Sequence, residues 1–541
     1  MSKTKSNQSV IVSAMKMALG TFSSRILGLV RDSVLGALFD RTITDAFVVA
    51  FRLPNFFRRF LGEGSLNVSF VPVYVELIHQ DEVQQTQNAQ KLSNSIYTLL
   101  SLTASIVTIL GVIFMEPVMS HLVGSDEFAG VPGKLELTIL FARIMFSYLY
   151  LVSTYAYFMS IANSVGAFFL PALAPALFNL CTIVVALMPN FSERWSGINL
   201  AYGVLIGGLV QAGLVFFQLW QLKVLPSWTR KIRVPGLRLV LKNMVPGLVG
   251  LGVLQIISLI NVYYAGQLPE GSHTYLYYGD RLLELPQSLL AISLGTALLP
   301  SLSGFVARGN HEGMLKEAAR YMRVLMYMAL PCSVGLFLLA EPIVRLLFGR
   351  GAFMESDILA TSEVVRIYSG LLLATSFRKV IVPSFYALKD TITPAIISVF
   401  VVASHIILAP ILLPIMGLAG LSLSVTVSGV VNVVLLLVVY KKKVGDLYGS
   451  KLLLLMAKCL PAIVGLTLIS LAYFPITNWT NSVIGAASLK RPVESFVLGI
   501  VIFLAALAYF TISSFCGIEE SKLIRSRLFE KFSRRWQKRK Q

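Results

Sequence analysis

The sequence is short of charge, and shortest of acid. Asp, Glu, Lys and Arg make up 13% of its 541 residues, and 27 acidic side chains face 46 basic ones. A water-soluble domain carries roughly twice that charged fraction, so an ordinary globular enzyme in water is excluded. Cysteine is scarce as well. Cys181, Cys332, Cys459 and Cys516 lie in or beside apolar stretches, with no metal-ligand spacing and none in an exported loop. They read as small packing residues. The histidines His79, His121, His273, His311 and His405 are equally dispersed. His405, inside an apolar stretch, reads as a satisfied packing residue, with a cavity-lining role as the alternative. There is no nucleotide loop, no pair of aspartates in a loop and no nucleophile elbow. Catalytic residues, metal ligands and cofactors are therefore all expected to be absent.

Hydrophobicity is what the chain has. Apolar residues make up 56% of it, and the mean hydropathy is +0.74. About fourteen apolar stretches reach membrane-spanning length, near 20 residues each. They run over 10–38, 42–62, 92–117, 136–158, 164–188, 198–222, 238–266, 273–303, 317–339, 358–387, 391–412, 416–440, 452–474 and 494–516. The fold class is thus an all-α polytopic membrane protein. The first stretch is too long and too charged for a signal peptide. Basic residues collect in alternate loops: Lys223, Arg230, Lys231, Arg233 and Arg238, then 308–320, then Lys441 to Lys443. The tail 519–541 adds nine Lys/Arg against three Glu. That positive-inside pattern puts both termini in the cytoplasm. The net charge of +19 is a topology signal rather than a sign of nucleic-acid binding, and the tail is expected on anionic membrane lipids.

A faint duplication runs through the chain. Ser65-Leu66 precedes Pro72 as Ser293-Leu294 precedes Pro300, and Pro171 and Pro394 open their stretches. Two six-helix lobes are expected, 1–237 and 238–450, related by a pseudo-two-fold axis along the membrane normal with a substrate cavity between them. Two extra helices (451–517) and a basic tail (518–541) would follow.

The most informative residues are charges inside apolar stretches. One charge at mid-bilayer costs about 3 kcal/mol on insertion scales, so such residues face a bundle interior or a wet cavity. In the first stretch Arg25, Gly28, Asp32 and Gly36 share a helix face, and Arg31 lies off it. Arg25 is about 22 Å along the helix from Val10, too deep for snorkelling. A structural Arg25–Asp32 pair is the alternative to a cavity site. Next come Asp45, then Arg52, Pro54, Arg58, Arg59 and Glu63, where Pro54 and the following glycines are expected to interrupt the helix. An interfacial loop meeting lipid phosphates is the alternative there. The third cluster is Asp280, Arg281 and Glu284, which also fits an ordinary local network. Guanidinium forks bind phosphate bidentately, and several converging on one cavity would suit a diphosphate.

These residues resemble a family. The stretches are Ser24-Arg25-Ile26-Leu27-Gly28 with Arg31-Asp32, Thr44-Asp45-Ala46-Phe47, Leu53-Pro54-Asn55 with Arg58-Arg59, and Glu63-Gly64 through Pro72. Tyr277-Tyr278-Gly279-Asp280-Arg281, residues 294–303, Lys379 through Pro383, Phe385-Tyr386-Ala387, Asp390-Thr391 and Thr393-Pro394 continue the match. The chain resembles the MurJ (MviN) family of lipid II flippases, within the multidrug/oligosaccharidyl-lipid/polysaccharide exporter superfamily, across all twelve core stretches. The resemblance implies a two-lobed, fourteen-helix transporter that is not an enzyme. It would move lipid II, an undecaprenyl-diphosphate-linked muropeptide, across the bacterial inner membrane by alternating access, beside the cell-wall synthesis machinery. It implies substrate contacts from Arg25, Arg31, Arg58 and Arg281. Gate or support roles fall on Asp32, Asp45 and Glu63, and our own reading adds Arg52, Arg59, Asp280 and Glu284. The last two helices would form a groove for the lipid tail. In some members, carboxylates among helices 7, 11 and 12 bind sodium. Here those spans hold no Asp or Glu, and Asn261 and His405 are the polar candidates. That departure argues against sodium and for direct use of the membrane potential.

Other classes fit less well. A cationic-drug exporter needs an acidic cavity, and a scaffold without transport needs no buried arginines. An exporter of another lipid-linked oligosaccharide or polysaccharide precursor remains the alternative.

Overall fold

A computed structural model describes residues 2–58, 65–79, 83–294, 298–447, 449–484 and 487–522. Every regular element among them is helical. In lipid, where no water is available to exposed peptide groups, a helix satisfies its own backbone. In order these are α1 (Ser2–Leu38), α2 (Arg41–Arg58), α3 (Ser65–His79), α4 (Val83–Ile113), α5 (Met115–Val123), α6 (Asp126–Ala129), α7 (Lys134–Phe146), α8 (Tyr148–Ser164), α9 (Phe169–Ala186) and α10 (Ile198–Gln221). Then follow α11 (Leu237–Ala265), α12 (Ser272–Leu294), α13 (Leu298–Ala307), α14 (His311–Leu338), α15 (Ala340–Phe348), α16 (Glu355–Ala387), α17 (Ile392–Lys443), α18 (Gly449–Leu471), α19 (Tyr473–Val483) and α20 (Ala487–Phe515).

Nine segments among the described residues are long and apolar enough to cross a membrane. One of them, α17, covers two expected spans, because Gly417 breaks it at φ 56, ψ −128. That conformation is open to glycine and closed to residues with a Cβ. Four other expected spans are helical without meeting the criterion. α2 carries Arg41, Asp45, Arg52 and Arg58, and α12 carries Asp280, Arg281 and Glu284. α1 and α11 each contain side chains outside the description. The expected break at Pro54 does not occur: α2 continues through it to Arg58. Pro54 removes one backbone donor, and Asn55 Nδ2 donates to the neighbouring carbonyl of Phe51 at 3.0 Å. The glycines expected to end this helix lie outside the described residues.

Two compact units result. The first comprises Met1–Tyr278 with Arg350–Met354, and the second comprises Gly279–Gly349 with Glu355–Gln541. The division falls inside α12 rather than at residue 237, because α11 packs on α3 and keeps company with the first unit. In unit 1, α1 packs on α9, α9 on α10, α10 on α8, and α2 on α7. Its core is aromatic: Phe51 stacks on Phe47, Tyr148 and Phe178 with ring centroids 5.6, 6.5 and 6.3 Å apart. Ala352 N also donates to Ala37 O at 2.9 Å, closing the end of α1. In unit 2, α14 packs on α16, α16 on α17, and α18 on both α20 and α14. Tyr509 Oη donates to Tyr327 O at 2.8 Å, and Arg323 pairs with Glu520 at 2.8 Å. Lipid is as apolar as leucine, so close packing and such hydrogen bonds hold these helices together.

The turn between α16 and α17 is held by Asp390, which accepts from Thr393 N at 2.9 Å and pairs with Lys443 at 3.2 Å. Burial works against ionisation of Asp390. The bonds from Thr393 and Lys443 outweigh it, and the carboxyl titrates below its ordinary range. The cysteines are unbridged, and Cys459 is fully buried.

Candidate functional site

Two buried charge networks lie in unit 1. The first is built on Arg31, which is 1% exposed near the C-terminal end of α1. Its Nη2 reaches Asp32 Oδ1 at 2.7 Å and Tyr277 Oη at 2.8 Å. Its Nη1 donates to Asn179 Oδ1 at 3.0 Å, and Asn179 in turn donates to Ser24 O at 3.0 Å. The guanidinium lies 5.6 Å from the centroid of the Phe51 ring. Tyr278 Oη donates to the carbonyl of Asp32 at 2.9 Å. α1 can approach this tyrosine because position 36 is glycine: a Cβ there would lie 3.0 Å from Tyr278 Oη. Arg31 is thus held by α1, α9 and the first turns of α12 together. A guanidinium with several donors suits such a site; an ammonium cannot make the same fork.

Tyr277 also meets a second expected arginine. Arg52, half-buried on α2, lies 5.9 Å from the Tyr277 ring centroid, and its Nη1 donates to Ser258 of α11 at 2.8 Å.

The second network centres on Asp45, also 1% exposed. Lys134 Nζ donates to its Oδ2 at 2.8 Å, and the backbone N–H of Gly271 donates to the same oxygen at 2.7 Å. Thr274 donates to Oδ1 from its backbone N–H at 3.0 Å and from its hydroxyl at 2.7 Å. Asp45 therefore caps α12 from another helix, where amide donors and the helix dipole favour a carboxylate. Lys134 sits 4.5 Å from the Phe128 ring centroid and 3.7 Å from Glu270, which accepts from Thr42. The counterion of Asp45 is thus a lysine from α7, while that of Asp32 is the adjacent Arg31.

The remaining candidates are placed as follows. Arg25 is half-buried on α1, and Arg58 is half-buried in the last turn of α2. Arg59 and Glu63 lie outside the described residues. Asp280, Arg281 and Glu284 belong to unit 2, all half-buried, with Arg281 Nη1 donating to Glu284 Oε2 at 2.9 Å. Of the sodium-site candidates, Asn261 is buried in unit 1. His405 is buried in unit 2, its Nδ1 3.1 Å from Ser424 Oγ. No group of three or more His, Cys, Asp or Glu among the described residues is placed to hold a metal ion.

Lys134, Asn179, Tyr277, Tyr278 and Thr274 complete these networks and are absent from the expected set. Asn179 carried a signal, as an amide inside the apolar stretch 164–188, and Tyr277 and Tyr278 stand in a stretch that carries the family resemblance. Lys134 read as part of a loop.

A chain whose described elements are all helical, with many apolar spans and hydrogen-bonded charge inside its helices, is a polytopic membrane protein. Comparison with known proteins narrows the class. The family model described as lipid II flippase MurJ matches residues 34–489. A protein of Bdellovibrio bacteriovorus named probable lipid II flippase MurJ is 42% identical over 95% of this chain and 96% of its own length. One from Burkholderia cenocepacia named lipid II flippase MurJ is 31% identical over 78% of this chain and 82% of its own. Among solved structures, a lipid II flippase MurJ in an inward closed conformation superposes with a TM-score of 0.71 at 27% identity, covering 92% of this chain and 98% of that one. An inward-facing multidrug transporter of the MATE family shares the fold with a TM-score of 0.66 at 13% identity, covering 80% of this chain and 98% of that one. The chain belongs to the lipid II flippase MurJ family.

The Asp45–Lys134 pair makes a direct prediction. Lys134→Met leaves the buried Asp45 without its counterion, and Asp45→Asn leaves Lys134 only the longer contact to Glu270; either should cost about 3–5 kcal/mol. The double substitution should cost clearly less than the sum of the two. Thermal unfolding of the detergent-purified variants reads this, and additive losses would show that the two residues act independently.

Proposed function

We propose that this chain flips lipid II from the cytoplasmic to the outer leaflet of the inner membrane by alternating access, for cell-wall synthesis. Membership of the family supports the substrate. The observation on this chain that carries the chemistry is Arg31, a guanidinium buried in a membrane helix and held by bonds that a bound diphosphate could replace. In this reading Asp32 and Tyr277 occupy the fork while no substrate is bound, which offsets the cost of an unpaired charge. The diphosphate would meet Arg25, Arg31, Arg58 and Arg281, with the polyprenyl tail left in lipid along α18 and α20. These two helices expose Leu460, Leu468, Phe496 and Phe503. Both termini are assigned to the cytoplasm on the distribution of basic loops.

Alanine at Arg25, Arg31, Arg58 or Arg281 should abolish rescue of a strain depleted of its own flippase, with the protein still present in the membrane. Arg31→Lys should fail as well, since it keeps the charge and loses the fork. Full rescue by any two of the alanine variants would overturn the diphosphate assignment.

The energy source follows from the same charges. A unit charge crossing the membrane field is worth about 2.3 kcal/mol per 100 mV. A cationic cavity that opens to one side and then the other differs in charge between its empty and loaded states, so an inside-negative potential biases the empty carrier. Collapsing the potential should stop flipping. Replacing sodium with potassium at constant potential should change it little. Strict sodium dependence at fixed potential would contradict this and point to Asn261.

A further inference from the structure

The loop after α10 is a basic feature that transport leaves unused. From Lys223 to Lys242 the chain carries six Lys/Arg and no acid. The loop is stitched down. Gln90, Asn94, Ser95 and Thr98, on one face of α4, take up its backbone groups. Gln90 Nε2 donates to Leu225 O at 3.0 Å, and Ser95 Oγ donates to Ile232 O at 2.6 Å. Asn94 Oδ1 accepts from Ser227 N at 2.9 Å, and Thr98 Oγ1 accepts from Thr229 N at 3.0 Å. Trp228 stands edge-on to Tyr97 with ring centroids 6.2 Å apart.

A held backbone presents its side chains in fixed directions. Where the loop enters α11, an open cavity of about 650 Å³ is lined by Arg233, Pro235, Leu237, Arg238, Leu241 and Lys242. All three cations are exposed, and none forms an ion pair or side-chain hydrogen bond among the described residues. The first turn of α11, behind Gly236 with no side-chain cap, adds amide donors and a positive dipole end to the same spot. Beside the cations, Leu239 is 49% and Leu241 44% exposed. A free anion would use the cations and leave those leucines bare. A molecule with a phosphate at one end and acyl chains at the other covers both.

We propose that this cavity binds the headgroup of an anionic phospholipid, with the phosphate among Arg233, Arg238 and Lys242 and the chains along the outer face of α11. The bound lipid would fasten the start of α11 to the α4 face that holds the loop. The site is separate from the transported lipid and stands whichever lipid that is.

The test uses the full chain in nanodiscs of phosphatidylcholine with a minority of phosphatidylglycerol, followed by mild delipidation and native mass spectrometry. The wild type should retain phosphatidylglycerol over phosphatidylcholine. Removing all three cations (Arg233→Gln, Arg238→Gln, Lys242→Gln) should cut that preference by about fivefold per cation. Arg233→Lys with Arg238→Lys should keep most of it. The preference of the wild type should fall as salt rises, a readout that needs no variant. Inorganic phosphate should not displace the lipid. Equal retention by wild type and triple variant, a salt-independent preference, or displacement by inorganic phosphate would each overturn the proposal.

Discussion

A bilayer offers no water to an ion, and this constraint organises the charged helices of unit 1. Arg31, Asp32, Asp45 and Lys134 are all about 1% exposed. Each has to find its counterion and its remaining hydrogen bonds inside the protein, since a half-satisfied buried charge costs more than an apolar side chain of the same shape. The packing of α1 on α9 brings Asn179 to Arg31, and the packing of α2 on α7 brings Lys134 to Asp45. The aromatic core supports the same end, as Phe51 lies against the Arg31 guanidinium.

Both networks end on the same few residues of α12. Thr274, Tyr277 and Tyr278 bind Asp45, Arg31 and the Asp32 carbonyl, and the same helix continues to Arg281 and Glu284. These contacts are specific and few. A ligand shifts a conformational equilibrium only by the difference in its contacts with the two states. In the proposed reading, a diphosphate that took the guanidinium from Tyr277 and Asp32 would alter such contacts at a point that α1, α9 and α12 share. That is how binding inside the membrane would reach the start of a helix that Asp45 caps from outside.

The helices were legible from the sequence because apolar stretches of bilayer length have little else to become. The charged positions stood out for the same reason, in a chain with 13% charged residues. The partners were not legible. Asp45 and Lys134 are 89 residues apart, and Arg31 and Asn179 are 148 apart; periodicity along one helix says nothing about either pairing. Helical spacing grouped Arg25 with Asp32. The long side chain of Arg31 also bends round to the adjacent carboxylate, a bond that a helical-wheel argument misses. Pro54 misled because a proline inside a membrane helix frees only one carbonyl, here that of Ala50, and the helix runs on through it to Arg58 on its remaining bonds.

Depletion of this protein in its host, with the leaflet distribution of lipid II read by access to an added membrane-impermeant probe, tests the central claim most directly. If Arg31 and the half-buried arginines serve to carry a diphosphate-linked precursor outward, lipid II should accumulate on the cytoplasmic side and its outer-leaflet pool should fall. An unchanged distribution of lipid II, or accumulation of a different lipid-linked glycan, would contradict the account.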